Sequence, residues 1–247
     1  MRALDALAGA HDEHVDERVW RAAPWHTRPA LELPPAGARV LVVSAHPDDE
    51  VLALGGTLSR LHASGCLLTL VSATDGELSH PGSLVVSPAD LAGRRADELV
   101  SALDALGIDA VPRRLGLPDS GLAGCEEELA RMLAPLAAEA DLVVATWSGD
   151  AHPDHEAVGR ACRQVAGDVP LWELPVWAWH WATPQDERFP WERVQVVDVR
   201  DRLEAKCRAV DRFASQVLPV GPGPQDAAVL PPEVLAHFLR PFEAVLV

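Results

Sequence analysis

Residues 40–58 read VLVVSAHPDDEVLALGGTL, an apolar run that empties into His46, Pro47, Asp48, Asp49 and Glu50. Val40 to Ala45 is β-branched and unbroken in hydrophobicity, the pattern of a parallel strand covered on both faces, and Val51 to His62 then reads as a helix. Pro47 marks the boundary, because it has no amide hydrogen to lose in a first helical turn. Three carboxylates clustered at the end of a buried strand repel one another and lose hydration unless a cation holds them. The stretch therefore predicts half of a metal site, placed at the carboxyl end of a strand, where open α/β sheets put their ligands.

A second corner repeats this logic. Asp141 to Trp147 (DLVVATW) is a strand candidate that delivers Gly149, Asp150 and Ala151, then HPDHE at 152–156, after which Glu156 to Ala166 reads as a helix. Zinc accepts imidazole nitrogen and carboxylate oxygen, and a catalytic site commonly uses three protein ligands plus a water. If the two corners meet, His46, Asp49 and His155 supply such a set. Asp48 can then take a proton from the bound water, while His152, oriented by Asp154 and favoured in its protonated form by that carboxylate, can face the oxyanion formed on attack at a carbonyl. Either motif alone also reads as a turn with a capping Asp. The repetition of strand, His-Pro-Asp, helix is what favours a shared ion.

The intervening chain keeps the alternation. Cys66 to Ser72 predicts a strand ending in TDGE (74–77), Pro88 to Leu106 a helix stopped by Gly107, Val111 to Leu117 a strand running into PDSG (118–121), and Glu126 to Ala140 a helix despite Pro135. Alternating strands and helices predict a mostly parallel sheet with right-handed crossovers. Beyond Gly167 the pattern changes to short strands or extended segments at Val169–Leu174, Val176–Trp181 and Val194–Val199. Trp177, Trp179 and Trp181 fall at the period of one strand face, which reads as core or as a stacking surface for a sugar. Asp201 to Ser215 predicts a helix, GPGP at 221–224 a loop and Pro232 to Leu239 a last helix. Residues 3 to 20 predict an amphipathic packing arm with Leu4, Leu7, Ala8 and Val15 on one side, followed by a Pro-containing connector from Pro24 to Gly37.

The 247 residues, 48% hydrophobic and 23% charged, suit one globular domain. A net charge of -16 argues against a nucleic-acid partner and against anionic membrane surfaces. The first residues lack a cationic, then apolar leader, and no stretch offers about 20 uninterrupted apolar residues, so a cytoplasmic protein without membrane insertion is expected. Cys66, Cys125, Cys162 and Cys207 stand far apart, which suggests reduced thiols. No GxGxxG is present, which disfavours a nucleotide-binding Rossmann protein.

AHPDDE at 45–50 with HPDH at 152–155 closely resembles the zinc-dependent N-deacetylases of the PIG-L or LmbE-like family. The resemblance is strong from Val40 to Ala166 and looser beyond. It implies an α/β, Rossmann-like three-layer sandwich with the metal in a cavity at the strand ends. It also implies His46, Asp49 and His155 as metal ligands, Asp48 as general base, and His152 with Asp154 stabilising the oxyanion. TDGE resembles the family's second-strand motif and brings in Glu77. Arg95 in RRADEL resembles its substrate-contacting arginine, and Asp119 in PDSG an aspartate that meets sugar hydroxyls. Arg95 also reads as a solvated helix residue, Asp119 as a turn residue, and His180, between two Trp residues, as a substrate contact or a locally satisfied histidine. Residues 1–247 are expected to form a single domain, with 1–37 as arm and connector and 168–247 as the substrate-side portion, where family members diverge.

The expected activity is hydrolysis of an N-acetyl group from an N-acetylated amino sugar or its conjugate, with release of acetate. Alternatives are an amidase on a larger conjugate and a non-catalytic, metal-containing sugar-binding module. Zinc is the expected ion, and iron(II) can occupy the same nitrogen and oxygen ligands. The oligomeric state, homo-oligomer included, is left open.

Overall fold

β1 (Arg39–Ser44) lies inside a seven-stranded sheet and pairs in parallel with β2 (Leu67–Thr74) on one side and β4 (Leu142–Thr146) on the other. The computed structural model describes residues 15–247. β3 (Arg113–Leu117) extends the sheet beyond β2, and β5 (Leu171–Leu174) beyond β4, both in parallel. β7 (Phe242–Leu246) then pairs antiparallel with β5, and β6 (Val194–Asp198) antiparallel with β7. The order β3-β2-β1-β4-β5-β7-β6 reverses direction between β1 and β4. The crevice outside their carboxyl ends is therefore the switch point at which such sheets bind ligands.

β1 is buried on both faces, as its unbroken apolar run predicts. Val40 and Val42 join a cluster with Leu54, Leu58, Leu99 and Leu103, contributed by α2 (Asp49–Ala63) and α3 (Pro88–Ala105). Leu41 and Val43 point the other way, to Leu129, Leu133 and Val158 of α4 (Glu126–Ala137) and α5 (Pro153–Ala166). The result is the expected three-layer α/β sandwich. Both helices that follow site strands start earlier than the sequence suggests, at Asp49 and Pro153 instead of Val51 and Glu156. Their polar residues are first-turn residues, stabilised by free helical amides and the positive end of the dipole.

Differences from expectation lie in the last third. Val176–Trp181 is not a strand: Ala178–Trp181 is one helical turn (α6), because the Asp150 carboxylate accepts the amides of Val176, Trp177 and Ala178 and so rewards a turn over an extended chain. The predicted helix 201–215 is split into α7 (Leu203–Val210) and α8 (Ala214–Val217), and the predicted helix 232–239 shortens to α9 (Pro232–Leu235). β7 was not anticipated from the sequence.

Leu4, Leu7 and Ala8 lie outside the described residues. Within them, α1 (Glu17–Arg21) packs the fully buried Trp20 against Trp179 at 4.9 Å. Glu17 accepts hydrogen bonds from Arg240 Nη2 at 2.6 Å and pairs with His237 Nδ1 at 2.9 Å. The Arg240 guanidinium in turn lies 4.7 Å from the Trp179 ring, so the arm is tied to the end of the chain. No helix among the described residues is long and apolar enough to cross a membrane.

Two glycines test the packing in opposite directions. A Cβ at Gly159 would meet Ser148 N at 2.6 Å and Thr146 O at 2.7 Å, backbone atoms of the β4 exit that cannot step aside. Gly159→Ala should destabilise the protein by about 1–3 kcal/mol through overpacking. Gly93, exposed inside α3 with open space around it, should behave oppositely, Gly93→Ala stabilising by about 0.5–1 kcal/mol. Urea unfolding of the two variants is the check; equal effects would contradict the packing described.

Candidate metal centre and active site

Because β1 and β4 are neighbours, the residues leaving their carboxyl ends arrive together. Asp48 occupies the cap of α2 and Asp49 its first turn, where the Asp49 carboxylate accepts the His46 amide at 2.9 Å. His152 caps α5, its Nδ1 accepting the Asp154 amide at 3.3 Å, and Asp154 and His155 follow in the first turn.

Three of the predicted side chains converge. His46 Nδ1 lies 3.3 Å from His155 Nε2. Asp49 supplies Oδ2 at 3.7 Å from His46 Nδ1 and Oδ1 at 3.4 Å from His155 Nε2. Tetrahedral nitrogen donors about 2.0–2.1 Å from a zinc ion are about 3.3–3.4 Å apart, so these donors fit a divalent cation. The nitrogens facing away are backed by carboxylates. His46 Nε2 lies 3.3 Å from Asp119 Oδ1 and 3.4 Å from Asp154 Oδ2, and His155 Nδ1 lies 2.6 Å from Asp150 Oδ2. Such outer partners fix ring orientation and tautomer in histidine metal sites. His152 completes a triple of imidazoles whose ligand atoms lie within 4.8 Å of one another, stacked on His155 at 4.3 Å between ring centres.

The electrostatics follow from burial against this crowd of charge. Burial drives His46 towards its neutral form, but Asp119, Asp154 and Asp49 outweigh it and hold its proton affinity well above that of a free imidazole. His155 is likewise raised, because Asp49 and Asp150 overcome its burial. Asp49 is held low: burial opposes its ionised form, but His155 and His46 prevail. Asp48 is raised by burial despite Arg95. Glu50, fully buried beneath the cluster, is pushed up to about 8 by burial and by Asp49 and Asp48, which makes it a neutral acid at pH 7.

His152 departs from expectation. The Asp154 carboxylate does not orient it, being turned instead onto the amides of Ser120 (2.6 Å) and Leu122 (3.0 Å) and towards His46. Burial, followed by the charges on His155 and His46, pushes His152 down to about 2. It is therefore a neutral imidazole rather than the protonated one expected. With Nδ1 accepting a backbone N–H, its hydrogen sits on Nε2.

Arg95 is buried, not solvated. Its Nη2 donates to Asp48 Oδ2 at 2.9 Å and its Nη1 to Gly76 O at 2.9 Å. Glycine suits position 76, whose φ is +63° and where a Cβ would sit 2.1 Å from Arg95 Nη1 and push the guanidinium from its place. Asp119 belongs to the His46 environment, accepts the Leu78 amide at 2.8 Å, and donates its own amide to Glu77 Oε1 at 3.0 Å. Glu77 thus positions Asp119. His180 is buried one ring further out: Trp177 is 4.9 Å from His180 and 6.4 Å from His152, and His180 lines a separate cavity of about 250 Å³ with Glu17 and His237. The sequence reading gave no role to Asp150, although it stands in the same GDAHPDH run, because a spacing of five from His155 matches no ligand motif.

The PIG-L family, described as GlcNAc-PI de-N-acetylase, matches residues 41–166. One curated relative, the 1D-myo-inositol 2-acetamido-2-deoxy-alpha-D-glucopyranoside deacetylase of Mycobacterium sp. strain JLS, is 33% identical over 242 aligned residues, covering 77% of this chain and 78% of its own. The chain belongs to the PIG-L family. Among solved structures, a deacetylase of the teicoplanin biosynthesis pathway superposes with a TM-score of 0.59 at 22% identity, covering 72% of this chain and 85% of its own. The 4-carboxy-2-hydroxymuconate hydratase of Pseudomonas putida KT2440 superposes with a TM-score of 0.55 at 18% identity, covering 72% and 80%. Both likenesses concern the fold.

Protons and a divalent ion compete for the same nitrogens. With His46 and His155 both raised, the metal-free site holds protons at neutral pH that an incoming ion must displace. Metal affinity should therefore rise with pH through and above the ordinary imidazole range, with protons released on binding. Calorimetry in buffers of different ionisation enthalpy reads that release, and a pH-independent affinity would contradict the donor assignment.

Proposed function

We propose that this protein is a metal-dependent hydrolase that removes the acetyl group from the nitrogen of an N-acetylated amino sugar or its conjugate, releasing acetate. The observation that carries the reading is the approach of His46, Asp49 and His155 to within 3.3–3.7 Å of one another, with Asp48 beside them. Membership of a family described as a de-N-acetylase, and a relative named for an acetamido-glucopyranoside, support the substrate class.

His46, Asp49 and His155 would hold the ion, with zinc the choice favoured by two imidazoles and a carboxylate. When bound, it supplies Lewis-acid polarisation of the amide carbonyl and acidifies water. Asp48 is the general base: Arg95 fixes its Oδ2, and burial raises its proton affinity towards that of a group that can take a proton from water and return it to the leaving nitrogen. His152 contributes a neutral Nε2–H donor to the oxygen that becomes negative. Asp154 acts on His46 and on the Ser120–Leu122 turn, and so positions the site without touching the reacting atoms.

Arg95, Asp119 and Glu77 are our candidates for contacts to the sugar, Arg95 through its place on Asp48 and Asp119 through its place beside His46. Residues 168–247 form a wall of the site through Trp177, which is half-buried beside His152, with His180 behind it. We read the described residues as one catalytic unit, with 15–37 as a packing arm. A cytoplasmic setting is supported by the four free cysteines.

Asp48→Asn should retain metal and lose about 10²–10⁴-fold in kcat/KM, the usual contribution of a general base. His155→Ala should lose the metal itself. Acetate release from a panel of N-acetylated amino-sugar conjugates, with metal content measured on the same samples, decides the matter. A liberated amine without acetate would favour an amidase on a larger acyl group. Bound sugar with neither product would favour a binding module, and turnover by Asp48→Asn equal to the parent would falsify the base assignment.

A further inference from the structure

The Asp150 side chain is fully buried and makes four hydrogen-bond contacts. Oδ1 accepts Val176 N at 3.1 Å and Ala178 N at 2.8 Å, and Oδ2 accepts Trp177 N at 2.7 Å and faces His155 Nδ1 at 2.6 Å. Its backbone carbonyl accepts Trp181 Nε1 at 3.0 Å. Three of these partners are backbone N–H groups, which can only donate, so both carboxylate oxygens serve as acceptors. With Asp150 ionised by its backbone donors, the fourth contact places the hydrogen on His155 Nδ1. That tautomer leaves the lone pair on Nε2, the atom 3.3 Å from His46 Nδ1 and 3.4 Å from Asp49 Oδ1.

We infer that Asp150 is a positioning residue that locks His155 in its ligating tautomer and, with the same carboxylate, seats the 176–178 turn that carries Trp177 to the site. This rests on His155 being a metal ligand, as proposed above. The ligand and the substrate-side wall thus share one anchor: the turn presents three amides that keep Asp150 an acceptor, and Asp150 keeps Nε2 free of hydrogen. Neither half of the arrangement holds its geometry without the other.

Asp150→Asn is nearly isosteric and reverses one of the two positions. With the amide oxygen on Val176 and Ala178, the NH2 group takes the place of Oδ2, where it leaves the Trp177 amide without its acceptor and faces His155 Nδ1, which must then accept, so the hydrogen moves to Nε2 and points at the donor cluster. Zinc affinity, measured by competition with a chromophoric chelator, is expected to fall about 10- to 100-fold, the usual effect of removing an outer partner of a metal histidine. A purely structural role for Asp150 predicts something else, a lower unfolding temperature of the metal-free protein with zinc affinity unchanged, and that result overturns the inference. If the parent itself fails to bind zinc while folded, the metal reading fails first. If Asp150→Asn does not fold, the metal-free parent decides: ¹⁵N resonances of the His155 ring, taken at a pH where it is neutral, should show hydrogen on Nδ1, and hydrogen on Nε2 would refute the assignment.

Discussion

Six carboxylates, those of Asp48, Asp49, Glu50, Asp119, Asp150 and Asp154, are buried around three imidazoles, and the site is arranged so that each negative group is compensated. Carboxylates this close cannot all remain ionised away from water unless donors or cations meet them. Backbone amides meet Asp150, Asp154 and Asp119, the Arg95 guanidinium meets Asp48, and burial pushes Glu50 towards its neutral form. What is left over is Asp49 with one nitrogen each from His46 and His155. The protein has answered every other charge internally and concentrated the remaining negative potential where a dication fits.

Neutralisation is achieved mostly by backbone, and this explains the layout of the fold around the site. Two helices begin directly beneath it, so their unpaired amides and dipoles face the carboxylates. The turn at Ser120–Leu122 and the turn at 176–178 do the same from the sides, each clasping one aspartate. Loops after β1, β2, β3, β4 and β5 all contribute, which is possible because those five strands are parallel and release their carboxyl ends on one edge of the sheet. A strand inserted in reverse among them would have sent one of these groups to the opposite edge. The antiparallel strands β7 and β6 stand beyond β5, where they complete the sheet without displacing a site loop.

Much of this could be read along the chain. The β-branched runs at 40–45 and 141–147 read as strands because short, unbroken apolar runs ahead of a polar turn suit a strand covered on both faces, and the HPDD and HPDH corners carry the side chains that the structure brings together, His46, Asp49 and His155. The reading weakened where a residue's partner is distant in sequence. Asp154 was matched with His152, its neighbour, whereas its carboxylate spans to Ser120 and Leu122. The solvated-helix reading of Arg95 fails because its guanidinium is buried on Asp48, 47 residues away. The Trp177, Trp179, Trp181 alternation suggested a strand, and only the distant Asp150 makes it a turn. β7 escaped notice because Phe242–Leu246 is short and its pairing with β5 is non-local.

The sequence by itself determined the layered α/β sheet, the pair of histidine-and-aspartate corners and the acidic net charge, since these depend on periodicity, residue type and summed charge, all local or additive properties. Only the tertiary structure decided which oxygen faces which nitrogen. That choice assigned Asp150 to His155, Asp154 to His46 and Arg95 to Asp48, and it left His152 neutral. Proton positions depend on burial and on partners gathered from opposite ends of the chain, and neither exists until the sheet has brought β1 and β4 side by side.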